Sequence, residues 1–470
     1  RRASSIGWSF MGDLPVGGRH PSAPQYSRPV DPVDDYSSEF DPDWSLERLS
    51  RAALARLCRE YMMVAMFHDR ALMPHVAMAA GQDATIRQAD SEWMGASPVY
   101  TARNKQNLGI VGDGVGEVFK SFQFDIGAPH HFLDFRFELV DHDHGFFWLP
   151  FCGAHDYLRQ ISGNDPELVT NMCHHMEDRT FDATLAVTNP RARAIPIHRP
   201  PKPDELTGDH CRWEVRLIEP TDGAAVRPGE PSREVVASSR AAAFEFELGE
   251  PREPGGLADY AGDFRPDLRL EDLGHAVLVR QAKEFALDNH LLMRAAYFSV
   301  DELLGVEALD DMAPQHRAAI APPLVERLRA ALAIEGDDMG AIGKMLQVDP
   351  HLVDDYVRYH VEVDDAAHGR IWFEDSDGLH DDVCRSPLSW LHEPDAPGFE
   401  AMVHAVNPRA RVRPLDPATA GPTAVLAWEI GIDPAAEPVA PHWAAEMAGG
   451  GGITRFDLTE RAVAAPVRRT

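Results

Sequence analysis

The chain has 470 residues, 44% of them hydrophobic and 8% aromatic, which suits two or three packed domains better than one. A formal net charge of −30 argues against nucleic acid, whose phosphates attract Lys and Arg, and against an anionic membrane surface. No run of about 18 apolar residues could span a bilayer, and five cysteines make no disulfide framework, so a reducing cytoplasm is the expected location.

Residues 1–44 are rich in Pro, Gly, Ser, Asp and Tyr without periodicity and read as an extended arm. The opening RRASSIGWSF resembles a twin-arginine start, but no apolar stretch follows, so no export signal is expected. Asp43 and Ser45 then offer N-caps to a helix running through LERLSRAALARLCREYMMVAMFHDRALMPHV, which Pro74 should break or kink. Its methionine run, YMMVAMF, reads as core packing. GDGVGEVFK at 112–120 reads as a helix start. It fits neither a dinucleotide nor a P-loop pattern, so no nucleotide cofactor is expected. FRFELV and FFWLPF alternate as strands do, joined at DHDHG by a turn in which Gly145 should supply a positive φ. A helix follows, then strands near TLAVTN and CRWEVRL.

An internal repeat organises these elements. GDGVGEVFKSFQFD at 112–125 aligns with GDDMGAIGKMLQVD at 336–349, and FRFELVDHDHGFFW at 135–148 with YHVEVDDAAHGRIW at 359–372, both at an offset of 224. TNPRARAIP at 188–196 matches VNPRARVRP at 406–414, and HDRALM at 68–73 roughly matches DNHLLM at 288–293. The expected architecture is therefore α+β: two tandem homologous repeats, each with helices packed on an antiparallel sheet, related by a pseudo-two-fold axis like a homodimer within one chain. The expected boundaries are an arm at 1–44, repeat 1 at 45–220, a linker at 221–270, repeat 2 at 271–435 and a tail at 436–470.

Repeat 1 concentrates metal-ligand and nucleophile residue types. Cys152 and His155 are three apart, Cys173 and His175 two apart, and Cys211 follows on a later strand. Four thiolate or imidazole ligands suit zinc, with iron as the alternative, which makes Cys152, His155, Cys173, His175 and Cys211 the candidate ligands. A nucleophilic thiol is the other reading. It has Cys173 attacking, His175 or His155 as base and Asp156 or Asp178 orienting the base. A third reading, buried cysteines beside core histidines, suits any one of these residues. In the second repeat the histidines persist as His380 and His392, whereas Cys173 meets Trp390, Cys152 falls on Ser376 or Asp377 and Cys211 falls near Ala427.

Residues 110–217 or so resemble the bacterial L-2-amino-thiazoline-4-carboxylic acid hydrolase-like family. The resemblance rests on a strand ending in Cys (FFWLPFC), a helix reading NDPELVTNMC and a later Cys-x-aromatic (CRW), with Cys152, Cys173 and Cys211 at the family's cysteine positions. It implies hydrolysis of a C–N or C–S bond in a small cyclic or amide-like substrate. Two functions are thus expected to compete. One is a hydrolase of a small molecule, acting in repeat 1. The other is a non-catalytic metal- or ligand-binding subunit tied to a partner by its arm, with a homo-oligomer or a larger complex as its assembly.

Overall fold

The computed structural model describes residues 31–163, 165–202, 208–218, 231–381, 386–393 and 398–459. The first thirty residues of the expected arm, 219–220 of the expected repeat 1, 221–230 of the expected linker and 460–470 of the expected tail lie outside them. In the first half, helix α1 (Arg51–Ala80) is followed by α2 (Gln82–Asn107), α3 (Val115–Phe122), strands β1 (Arg136–Asp141) and β2 (His144–Leu149), α4 (Gly153–Ser162) and α5 (Pro166–Thr170). A π-helical turn, Asn171–Met176, then leads into α6 (Glu177–Thr188), β3 (Ala192–His198) and β4 (Cys211–Leu217). Two short helices, α7 (Pro231–Ala237) and α8 (Arg240–Ala243), precede the second half. That half runs α9 (His275–Leu304), α10 (Val306–Leu332), α11 (Met339–Gln347), β5 (Tyr359–Val363), β6 (His368–Glu374), α12 (Glu400–Val406), β7 (Ala410–Pro414), α13 (Pro417–Ala420), β8 (Ala424–Ile432) and α14 (Ala444–Ala448).

The protein is thus mixed α+β, with two sheet-and-helix units. Each sheet is antiparallel and four-stranded, in the orders β1-β2-β4-β3 and β5-β6-β8-β7. The long helices α1, α2, α9 and α10 pack on one another between them. Among the described residues, no helix is long and apolar enough to cross a membrane.

The gapless offset of 224 extends further upstream than the motifs suggest. α1 and α9 are both 30 residues long and end at Gly81 and Gly305, each with positive φ. HDRALM therefore does not pair with DNHLLM: Arg70 matches Arg294, and Glu60 matches Glu284. Contacts between the halves come in exchanged pairs. Arg103 makes a forked ion pair with Glu284 (2.9 and 3.0 Å), and Arg327 makes one with Glu60. Arg59 pairs with Glu271 and Lys283 with Glu47. The Tyr36 hydroxyl donates to Gln347 Oε1 at 2.8 Å, while that of Tyr260 donates to Gln123 Oε1 at 2.9 Å. Tyr36 lies within the expected arm and Tyr260 within the expected linker, yet both are buried and seat their segments against α11 and α3.

Local details also depart from the sequence reading. Ser50, not Asp43 or Ser45, caps α1, accepting from Ala53 N–H, and the helix continues through Pro74 because packing along its length outweighs one lost backbone hydrogen bond. TLAVTN lies mostly in α6. The inward positions of α6, Phe181, Thr184 and Leu185, follow helical spacing, and the strand starts at Ala192. Gly145 does not have positive φ. A Cβ there would come within 2.7 Å of the Phe119 ring and 2.8 Å of Glu138 O, so close approach of helix and hairpin accounts for the glycine.

The two sheets differ in how they join the core. β5–β8 merge with the four long helices into one hydrophobic cluster, whereas β1–β4 form a separate cluster with α3, centred on Phe119, Phe147 and Trp213. A cavity of about 570 Å³ lies between that second cluster and the helices, walled by Met66, Trp93 and Tyr100 on one side and Phe135 and Leu149 on the other.

Candidate functional site

Three elements bring chemistry to this cavity. β2 ends at Leu149, and the chain turns through Cys152, which serves as the N-cap of α4: its Sγ accepts from His155 N–H at 3.4 Å. Gly153 is the first helical residue because a Cβ there would meet the Phe132 ring at 2.2 Å, so the helix start presses flat on that ring. Cys211 opens β4 opposite Leu149 and also faces the cavity. The π-helical turn carries Cys173 inward and places Glu177 on the cavity wall at the start of α6. Such turns recur at functional sites because they re-aim side chains along a helix.

Cys152, Cys173 and Cys211 are all buried, and their thiols lie close enough to influence one another's ionisation. Burial keeps them protonated. The Cys152 thiol is pushed up to about 12 chiefly by desolvation, with Glu177 adding to the shift while the α4 N–H groups and Arg70 oppose it. Burial raises the other two thiols further. Cys152 is therefore the thiol placed at a helix N-terminus with a cation in reach, the setting that favours a thiolate once a base acts.

Carboxyl groups in the cavity are held towards their neutral forms. Burial raises Glu177 to about 8, opposed by Arg199. Asp69 is also raised by burial, against a hydrogen bond from Trp93. Burial, with Asp69 adding to it, also raises the neighbouring Glu92, which accepts from Gln88 Nε2 at 2.6 Å. Asp125, raised by burial to about 6, accepts from the Tyr100 hydroxyl at 2.8 Å. Among the described wall residues the one guanidinium, Arg70, stacks 4.0 Å above the Tyr157 ring and donates to Gly450 O (3.0 Å) and Gly153 O (3.3 Å).

Of the residues singled out from sequence, the structure brings the three thiols together and leaves the imidazoles and Asp156 apart. The His155 ring lies 4.4 Å from that of His210, whose pKa burial lowers to about 3. His175 is exposed on the π-helical turn, and the half-exposed Asp156 accepts from Gln160 on the surface of α4. Asp178 pairs with Arg199. Among the described residues, no group of three or more His, Cys, Asp or Glu side chains is placed to hold a metal ion.

Sequence reasoning missed Asp69, Arg70 and Glu177. The signal was present for the first two, an adjacent acid and base inside a long apolar helical stretch, where charges are rarely left without purpose.

At the offset of 224 the second half carries different residues. Ser376 stands where Cys152 does, and Leu426, not Ala427, occupies the position of Cys211 opposite Phe373. Arg294 pairs at 2.8 Å with the buried Asp381, which also accepts from the Tyr356 hydroxyl, and Arg317 stacks 3.8 Å from the centre of the Trp390 ring. Compared with family models, characterised proteins and solved structures, the chain matches none.

Proposed function

We propose that the protein is a hydrolase of a small amide-like substrate, breaking a C–N or C–S bond in the first-half cavity, with Cys152 rather than Cys173 as nucleophile. The observation that carries this reading is that Cys152, at a helix N-terminus, shares one largely apolar cavity with Glu177 and Arg70. Ionised Glu177 takes the Sγ proton as sulfur attacks the substrate carbonyl carbon. The developing oxyanion is stabilised by the positive N-terminal end of the α4 dipole and by the Arg70 charge. Glu177 then passes its proton to the leaving nitrogen or sulfur. In the second stage it takes a proton from water, which attacks the thioester and returns the thiol. The dry wall keeps Glu177 able both to take and to give a proton near neutral pH.

We propose also that the halves are homologous repeats about a pseudo-two-fold axis, a relation supported by the exchanged ion pairs. In this view the second half, with Ser376 and a neutralised Arg294, is a structural partner. The test is acylation by p-nitrophenyl acetate, followed by intact-mass and peptide analysis. One acetyl group on Cys152, absent in Cys152→Ser and retained in Cys173→Ala, is the expected result. Acetylation that survives Cys152→Ser unchanged would sink the assignment.

A further inference from the structure

The lining and rim of the cavity carry information about what enters it. Five buried or half-buried methionines, Met66, Met73, Met172, Met176 and Met447, contribute to the wall. Unbranched thioethers adapt to ligands of variable shape, as a flexible hydrocarbon requires. Three more apolar wall residues are exposed to solvent, Met78 at 68%, Ile161 at 46% and Trp443 at 45%, and mark an apolar mouth. On the polar side of the wall, Cys152 has both Glu177 and Arg70 within electrostatic reach. At pH 8, where Asp69 and Asp125 are ionised and Glu177 partly so, charge on the described wall is unbalanced: these three carboxyl groups stand against one guanidinium, Arg70, whose Nη donors are already spent on Gly450 O and Gly153 O.

We infer that the cavity takes a neutral, elongated apolar amide, its carbonyl end at Cys152 and its hydrocarbon running along the methionines towards Trp443, and that it rejects the matching carboxylates. An anionic head would be set against three carboxyl groups in a dry site with no free guanidinium fork, whereas an amide offers a carbonyl acceptor and N–H donors to the same groups. The volume, about 570 Å³, lies within the usual range for a small-molecule site. Only the orientation of the ligand rests on the catalytic reading of Cys152; the class of ligand rests on the wall.

The full chain carrying Cys152→Ser is loaded with the neutral apolar dye N-phenyl-1-naphthylamine, which is then displaced by straight-chain primary amides of increasing length and by the corresponding carboxylates at pH 8. The expected result is a two- to fourfold gain per added methylene until the chain fills the cavity, the upper figure being full burial of a CH₂. Carboxylates of equal length should bind at least tenfold more weakly. Ala77→Trp, at the wall near the mouth, should abolish dye binding. In the unmodified protein, a long amide should slow alkylation of Cys152 by iodoacetamide, a readout that needs no variant to fold. Carboxylates binding as tightly as amides, no dependence on chain length, or no protection of Cys152 would each overturn the inference. Dye and amide binding without acetylation of Cys152 would instead leave the ligand class standing and remove the nucleophile.

Discussion

Cys152 and Ser376 occupy one position in the two halves, each preceding the helical turn that follows the second strand, and the difference between them follows from what surrounds each. Cys152 faces an open cavity with Glu177 and Arg70, whereas the Ser376 hydroxyl donates to Glu374 O. Glu177, raised to about 8, is mostly protonated at pH 7 and becomes a base only as pH rises through that value. Acetylation of Cys152 should therefore accelerate with pH through about 8. In Glu177→Gln that limb should vanish and the rate above pH 8.5 should fall about a hundredfold, the usual size of a general-base contribution. Stopped-flow release of p-nitrophenolate measures both, and an unchanged pH profile in the variant would assign the proton to another group. The thiols were legible in the sequence as a cluster, since cysteine is sparse and the three positions fall in one repeat. Their roles were not, because choosing Cys152 over Cys173 depends on a helix cap and on a carboxyl and a guanidinium contributed by other elements. His175 looked equally suitable beside Cys173, yet helical geometry turns it to solvent.

At the level of elements, the exchanged ion pairs make a prediction about equivalence. Arg103–Glu284 and Arg327–Glu60 each join a second helix of one half to the first helix of the other, and all four side chains are nearly or wholly buried. Removing one partner of such a pair leaves an uncompensated charge at a cost of about 3–5 kcal/mol. Arg103→Met and Arg327→Met should each destabilise by that order in urea denaturation, with similar values. A large loss in one and none in the other would argue against equivalent halves. Gly153→Ala should also destabilise, by about 1–3 kcal/mol, because the new methyl group overlaps the Phe132 ring, and it should slow Cys152 acetylation by shifting the α4 N-terminus. The strands FRFELV, FFWLPF and CRWEVRL were readable from their alternation, and the presence of two sheet-and-helix units from the constant offset. What sequence could not supply was context. Pro74 lies in a helix held by packing along its length, and Gly145 and Gly153 answer to aromatic rings that arrive from elsewhere in the chain. Tyr36 and Tyr260 sit in loop-like sequence, yet each docks on a helix more than 100 residues away.

For the whole molecule, two populations of buried groups set opposing limits on stability. Asp125, Glu177, Asp69, Glu92 and Asp288 are all raised by burial, the first two to about 6 and about 8. In the unfolded chain these carboxyls ionise near pH 4, so between there and their folded values the native state holds more protons, and stability falls as pH rises. Buried histidines act in the other direction. His130 and His210 are lowered to about 4 and about 3, and His68, His316 and His351 are lowered too, each chiefly by desolvation. Unfolded, they take up protons near pH 6.5, so stability falls as pH drops below that value. Between about pH 4 and 6.5 the two slopes oppose and largely cancel each other, so the melting temperature should be nearly level there and fall on the alkaline side as the carboxyl penalty goes on growing alone. Self-repulsion from a net charge of −30 would also weaken the fold on the alkaline side, but it is a long-range surface effect and is screened within about 8–10 Å at moderate salt. Desolvation of buried carboxyls is not screened. Calorimetry between pH 5 and 9 in 0.5 M salt separates the two. A decline above pH 6 that persists in salt and is reduced in Glu177→Gln is the expected result, whereas a decline abolished by salt would place its cause on the surface.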